Sequence, residues 1–103
     1  MINSVEKIRT QIRANELKAL FFIENNLIFE AEKMLVSNMN SGTDSPMTFD
    51  LLIRIYEKTC NYPLLLSTLD SGIKRTVKKD FYRRLKKQII FSRLLKDISA
   101  ITA

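Results

Sequence analysis

Histidine is absent from this chain of 103 residues, and cysteine occurs once, at Cys60. Without histidine the chain cannot form a Ser/His or Cys/His nucleophile pair, and it lacks the ligands of an internal zinc site. Gly42 and Gly72 are the two glycines, so there is no glycine-rich phosphate loop. The carboxylates of Glu30 and Glu32 would point apart on a helix. The sequence therefore predicts that the protein is not an enzyme and binds no metal or cofactor.

A single cysteine cannot form an internal disulfide, which makes a reducing compartment the default. Cys60 is expected to be a small packing residue, since no histidine can activate its thiol. The longest apolar run, residues 19–23, is far shorter than the roughly 18 residues that span a bilayer. The charged N-terminus does not have the apolar core of a signal peptide. These features predict a cytoplasmic protein without a transmembrane segment.

Residues that break helices are scarce: two glycines and two prolines in the whole chain. The abundant Leu, Ile, Lys, Arg and Glu favour helices. Hydrophobic residues make up 46% and charged residues 27%, which is typical of a folded globular chain. The length has room for one domain. We therefore expect a single all-α domain over residues 1–103.

Local signals divide this domain into about five or six helices. Asn3 is typical of a helix start, and the Asn25–Asn26 pair is typical of a tight turn. Ser45–Pro46 and Asn61 suit the starts of later helices. Near residues 14–16 the apolar stripe changes phase. The N-terminal segment is predicted to be helical, and this helix either breaks there or continues into the next one.

Two segments of the chain match at a fixed spacing of 34 residues, which we name the repeat period. The matching pairs are Ala19 with Ile53, Phe22 with Tyr56, Asn26 with Cys60, Ile28 with Tyr62, Ala31 with Leu65, and Leu35 with Leu69. Two helices of about 12–14 residues, a short turn and a linker occupy about 34 residues, which is the spacing of these pairs. The pattern predicts two antiparallel hairpins, repeat 1 over residues 15–40 and repeat 2 over residues 46–75. The alternative is a plain helical bundle whose hairpins match in length by accident.

These matches resemble the tetratricopeptide repeat family over about residues 15–75. The chain departs from the family where Ile53 and Leu65 replace small residues, whereas Gly72 keeps one. The resemblance implies a short right-handed stack whose inner face, lined by the first helix of each pair, forms a partner-binding groove. The positions that would face a ligand are Glu16, Leu20, Asp50 and Arg54. They do not supply the paired Asn and Lys with which some family members hold the carboxylate of chaperone tails.

Two repeats are few for a stack whose units bury their apolar faces only against neighbours. Either the flanking helices cap the stack, or a protein partner or a second copy completes it. Small tetratricopeptide-like proteins of this size are similar to the chaperones of type III secretion that hold needle subunits unpolymerised. The similarity implies a small chaperone or adaptor that binds a partner protein through an apolar groove.

Positive charge is concentrated in the C-terminal third. Residues 1–73 hold seven Lys and Arg against nine Asp and Glu, whereas residues 74–103 hold ten against two. A basic C-terminal capping helix is predicted over about residues 76–99. At 100° per residue its apolar face comprises Val77, Phe81, Leu85, Ile89, Ser92 and Leu95. Its basic face comprises Lys79, Arg83, Lys86, Lys87 and Arg93.

The basic face has three interpretations: a solvated cap, a contact for an acidic protein, or a phosphate site for nucleic acid or an anionic membrane. Tyr82 and Gln88 are the side chains suited to base contact, which permits only non-specific nucleic-acid binding. Phe91, Leu94 and Ile98 widen the apolar face, so this end is expected to be buried against the body or a partner. The main prediction is a non-enzymatic protein–protein interaction module. A nucleic-acid-associated regulator that uses the basic helix is the alternative.

Overall fold

The computed structural model describes residues 3–102, with side chains described for residues 3–100. The described chain consists of five α-helices joined by short turns, which confirms the all-α prediction. The helices are α1 (Ser4–Glu24), α2 (Ile28–Asn40), α3 (Pro46–Lys58), α4 (Tyr62–Arg75) and α5 (Lys79–Thr102). Helices α1 and α2 form one hairpin, α3 and α4 form a second, and α5 packs on α4.

Three predicted helix starts are confirmed. The side chain of Asn3 accepts a hydrogen bond from the Glu6 amide at 2.8 Å, and that of Asn61 accepts one from the Leu64 amide at 3.3 Å. Both bonds satisfy amides that have no partner inside the helix. Ser45 precedes Pro46 at the start of α3, but its hydroxyl donates to a side chain of α1 instead of capping α3.

The N-terminal segment is continuous with α1, so the structure selects the predicted alternative in which the helix continues through residues 14–16. The apolar stripe changes phase near residues 14–16 because two buried polar side chains, Asn15 and Glu16, take its place. Asn15 Nδ2 donates to Asn38 Oδ1 on α2 at 3.0 Å. Buried polar groups are tolerated when they are hydrogen-bonded, so the helix passes through this point unbroken.

The two hairpin turns have the same backbone conformation and lie one repeat period apart. Asn26 has a φ of 61° and Cys60 a φ of 55°, the left-handed conformation that commonly ends a helix. The Leu27 amide donates to the Phe22 carbonyl at 2.7 Å, and the Asn61 amide donates to the Tyr56 carbonyl at 2.9 Å. The tight turns are therefore confirmed. Cys60 is exposed at its turn, so its expected packing role is wrong.

The core runs through both hairpins and includes α5. Ala31 and Leu35 of α2 are fully buried, and so are Leu65 and Leu69, their counterparts one repeat period later. The other buried hydrophobic residues are Ala19, Phe49, Leu51, Leu52, Ile53, Ile55, Tyr56 and Tyr82. Most of these belong to α3, which lies between the first hairpin and α4.

Helix α5 begins at Lys79 instead of residue 76. Thr76 ends α4, where its hydroxyl donates to the Gly72 carbonyl at 2.8 Å and accepts from the Lys78 amide at 3.1 Å. Val77 therefore lies in the linker and is 91% exposed, so its place on the predicted apolar face is wrong. Tyr82, which is not assigned to the predicted apolar face, is buried there and packs on Phe49 with ring centroids 6.4 Å apart.

Candidate protein-binding surfaces

Glu16, predicted to face a ligand, instead joins α1 to α3. Its side chain is 2% exposed. Its Oε2 accepts hydrogen bonds from Ser45 Oγ at 2.6 Å and from Thr48 Oγ1 at 2.8 Å. Asn38 Nδ2 donates to the same Thr48 oxygen at 3.1 Å. Because these donors hold the buried carboxylate, Glu16 is out of reach of a ligand on the inner face.

Asp50 has the corresponding position one repeat later and joins α3 to α5. Its Oδ1 accepts a hydrogen bond from the hydroxyl of Tyr82 at 2.8 Å, and its Oδ2 forms an ion pair with Lys78 Nζ at 2.9 Å. Tyr82 follows Thr48 by one repeat period, just as Asp50 follows Glu16. The repeat therefore extends to the contacts between the first helices of successive hairpins, and α5 takes the place of a third such helix.

The other two residues of the predicted groove, Leu20 and Arg54, differ in their exposure to solvent. Leu20 is partly buried against the core, whereas Arg54 is exposed on α3. Of the four predicted residues, two therefore connect helices and one lies at the margin of the core. A ligand on this face would meet Arg54 directly.

Part of the predicted basic face fastens α5 to the body. Lys79 Nζ donates to two carbonyls in the last turn of α4, at 2.7 and 3.1 Å. Lys86 forms an ion pair with Asp70 at 2.7 Å, and the guanidinium of Arg93 lies 4.1 Å from the ring centroid of Tyr62. Such contacts with the last carbonyls and with an aromatic face favour docking of a basic helix.

The other cations of α5 point to solvent. Arg83 is more than half exposed and pairs with the exposed Asp80 at 3.1 Å, an ion pair that contributes little in water. Arg84 and Lys87 are exposed on the same side of the helix. The basic residues of α5 are thus divided between one side that holds the helix in place and an adjoining side that is open to solvent.

Tyr82 does not offer its ring for base stacking, because it is fully buried. Burial raises the pKa of its phenol, and its hydrogen bond to the Asp50 carboxylate raises it further. Burial likewise raises the pKa of Tyr56, and the neighbouring Glu32 carboxylate raises it further. Both phenols are therefore neutral inside the stack, and Tyr82 is not available for contact with a base.

The outer edge of α1 exposes two large apolar side chains that sequence reasoning missed. Leu17 is 52% and Phe21 58% exposed, whereas their counterparts one repeat period later, Leu51 and Ile55, are 6% and 3% exposed. The first hairpin covers Leu51 and Ile55, but within the described residues nothing covers the same positions on α1. We name Leu17 and Phe21 the α1 edge. Comparison of Leu17 with Leu51 and of Phe21 with Ile55 at the repeat period is the sequence signal that could have located this edge.

The apolar stripe of α5 changes sides near its middle. Tyr82, Leu85 and Ile89 face the body. At 100° per residue, the centre of the following apolar group lies roughly opposite them. This group, which we name the distal stripe, comprises Ile90, Phe91, Leu94 and Leu95. Phe91 is 63% and Leu94 54% exposed, so the body does not bury this end of the helix. Ile98, further along, is exposed as well.

A cleft of about 290 Å³ lies between α4 and α5, with Tyr62 and Ile89 among its lining residues. A smaller cleft of about 160 Å³ lies between α2 and α3, and it is lined by their counterparts, Ile28 and Ile55. Both clefts are gaps between the second helix of one hairpin and the next helix of the stack. They recur with the repeat, so we interpret them as packing features.

No family model, curated protein or solved structure matches this chain. Among the described residues there is no cluster of three or more His, Cys, Asp or Glu side chains that could hold a metal ion. No helix in the described part of the chain is long and apolar enough to cross a membrane. The α1 edge and the distal stripe are exposed apolar surfaces on which a partner could pack.

Proposed function

We propose that the chain is a non-enzymatic protein–protein interaction module of tetratricopeptide-like type, a small chaperone or adaptor whose partner packs on the α1 edge. The observation that carries this proposal is the difference between Leu17 and Phe21, which are exposed, and Leu51 and Ile55, which are buried. Large apolar side chains at these positions serve to bind a preceding helix pair. On α1 the partner supplies that surface.

Burial of the α1 edge against a partner would contribute several kcal/mol to the free energy of binding. Burying one large aliphatic or aromatic side chain contributes about 1.5–3 kcal/mol. The two residues of the edge, with the partly buried Leu20 one turn after Leu17, form an apolar patch on α1. Stable recognition also needs neighbouring polar contacts and shape complementarity. Lys18 is an exposed polar side chain next to Leu17 on α1. The compartment that we propose is the cytoplasm, because one exposed thiol suits a reducing environment.

A role as a chaperone of type III secretion stays a prediction from the resemblance, since no contact described here bears on secretion. The nucleic-acid-associated regulator stays a prediction too, and the placement of three side chains disfavours it. Tyr82 is buried, while Lys86 and Arg93 are engaged with α4. Tyr82 is therefore out of reach of a base, and a phosphate would have to compete with the present contacts of Lys86 and Arg93.

The proposal is tested by site-specific photo-crosslinking in the source cell. A photoreactive phenylalanine analogue at Phe21 is expected to yield one dominant crosslinked protein, identified by mass spectrometry. The same analogue at Lys33, an exposed position on α2, serves as the control and is expected to yield none. If position 21 yields no crosslink above the control, the proposal is wrong. A crosslinked pair of identical chains would identify the partner as a second copy.

A further inference from the structure

The outward side of α5 is divided along its length into a charged half and an apolar half. Arg83, Arg84 and Lys87 are exposed on this side in the first half, and the distal stripe follows in the second. From Arg83 to Leu95 the helix rises about 18 Å at 1.5 Å per residue. We infer that this side of α5 is a second docking surface, which binds an amphipathic helix of a partner protein with an acidic half and an apolar half.

The positions on α5 that correspond to buried positions inside the hairpins restrict which helix can pack against its outward side. Asn15 and Phe49 are buried one repeat period apart, and the next position in that series is Arg83. Ala19 and Ile53 are buried in the same way, and the next position is Lys87. Cations at these positions oppose an apolar helix there. An occupant must therefore carry acidic residues opposite them and apolar residues opposite the distal stripe.

Charge complementarity excludes a second copy as the favoured occupant. A second α5 laid parallel to the first would bring its own cations towards Arg83, Arg84 and Lys87, within a Debye length of about 8 Å. Laid antiparallel over the same length, it would place its apolar distal stripe on these cations and leave them without acidic partners. Residues 74–103 hold two acidic side chains against ten basic ones, too few to neutralise that contact. Opposite charges across an interface accelerate association and select the partner, whereas like charges exclude it.

The layout of the surface also favours a helix over a lipid bilayer. A helix that lies in a membrane surface has cations on its polar side and apolar residues around the opposite side. On α5 the outward cations and the distal stripe share one side and follow each other along the axis. That arrangement matches a helical partner of about four turns whose composition changes at its middle.

The test uses the full chain and two fluorescently labelled 16-residue helical peptides. Each has a leucine stripe in one half and glutamates in the other, in the two possible orders. A control peptide carries lysine in place of every glutamate. We expect at least one acidic peptide to bind in anisotropy titrations, more weakly at high salt, and the lysine peptide to bind at least tenfold more weakly.

Two double variants locate the binding site. Arg84→Glu with Lys87→Glu is expected to weaken binding of the acidic peptide about tenfold or more, and so is Phe91→Ser with Leu94→Ser. Lys18→Glu with Lys33→Glu changes the same charge away from α5 and should leave the affinity unchanged. All variants alter exposed side chains, so circular dichroism should report an unchanged helix content.

Three results would overturn this inference. The first is that neither acidic peptide binds more tightly than the lysine peptide. The second is self-association of the wild-type chain in sedimentation experiments, lost in Leu94→Ser, because a second copy would then cover the stripe. The third is co-sedimentation with phosphatidylserine vesicles that depends on Phe91 and Leu94. Crosslinking at Phe21 reports on the α1 edge, a different surface. Failure of the peptide experiment therefore does not affect the proposal for the α1 edge, and failure of the crosslinking does not affect this inference.

Discussion

Tyr82 donates its phenolic hydrogen to Asp50 at 2.8 Å, which reproduces the bond of Thr48 to Glu16 at the same length one repeat earlier. The donor residues differ (Thr48 and Tyr82), and so do the acceptor residues (Glu16 and Asp50), yet each pair is separated by one repeat period. The bond therefore connects each hairpin to the next helix of the stack in the same way. Its two versions differ in burial, because Glu16 is enclosed whereas the side chain of Asp50 is 41% exposed.

The difference in burial predicts the cost of removing each donor. Thr48→Val deprives the enclosed Glu16 of one donor and Asn38 of one acceptor, so the free energy of unfolding should fall by about 2 kcal/mol. Tyr82→Phe should cost about 1 kcal/mol, since water and Lys78 continue to solvate Asp50. Chemical denaturation measures both. Thr59→Val at an exposed helix end is the control, with an expected change within about 0.5 kcal/mol. A larger loss for Tyr82→Phe would contradict this assignment.

Gly72 allows Tyr82 to reach the core. A Cβ at residue 72 would lie 2.8 and 2.9 Å from two carbons of the Tyr82 ring, which is itself packed on Phe49. Gly72→Ala gains about 0.5–1 kcal/mol of helix propensity, but overpacking of a full core costs about 1–3 kcal/mol. We therefore expect a net loss of stability in thermal denaturation. The neighbouring change Ser71→Ala should be neutral or slightly stabilising. A gain for Gly72→Ala would show that the ring can move aside.

The left-handed turn residues predict that glycine stabilises the protein. A non-glycine residue in this conformation costs about 1–2 kcal/mol, and Asn tolerates it better than Cys. Cys60→Gly should therefore raise the free energy of unfolding by about 0.5–1 kcal/mol, and Asn26→Gly should raise it by less. Glycine at Asn25, where φ is −99°, relieves nothing and should be destabilising. Equal effects at residues 25 and 26 would contradict the described turn.

Alkaline pH should destabilise the fold through Tyr56 and Tyr82. Their folded pKa values are raised above the unfolded value near 10, so above that pH the unfolded chain loses protons first. Their contribution to stability is complete below pH 10 and decreases above it, by up to about 1.4 kcal/mol per pH unit for each group. The double variant Tyr56→Phe and Tyr82→Phe should reduce this slope in urea titrations between pH 9 and 11. The double variant removes both phenols, so an unchanged slope would refute the prediction.

Local signals in the sequence were sufficient for the hairpins. The caps at Asn3 and Asn61 and the turns at Asn26 and Cys60 depend on a few neighbouring residues, so pattern reading located them. Helix α1 was harder to predict. Its apolar periodicity is interrupted at Asn15 and Glu16, whose partners on other helices become visible only after folding.

The binding surfaces depended on tertiary structure more than the helices did. A helical wheel that included Val77 centred the docked face of α5 wrongly and left out Tyr82, because the linker after Thr76 delays the helix start. Leu17 looks like its buried counterpart Leu51 in the sequence. Only the absence of a helix pair before α1, within the described residues, distinguishes the two positions.

The paired variants Leu17→Ser and Leu51→Ser test most directly the claim that the α1 edge is an uncovered copy of a buried helix contact. Leu51→Ser should lower the free energy of unfolding by about 3 kcal/mol, because it leaves a cavity and a hydroxyl in the core. Leu17→Ser should change the free energy of unfolding by less than about 0.5 kcal/mol and yet abolish the protein crosslink formed at Phe21. A Leu17→Ser variant that unfolds as readily as Leu51→Ser, or that keeps the crosslink in full, would contradict the account.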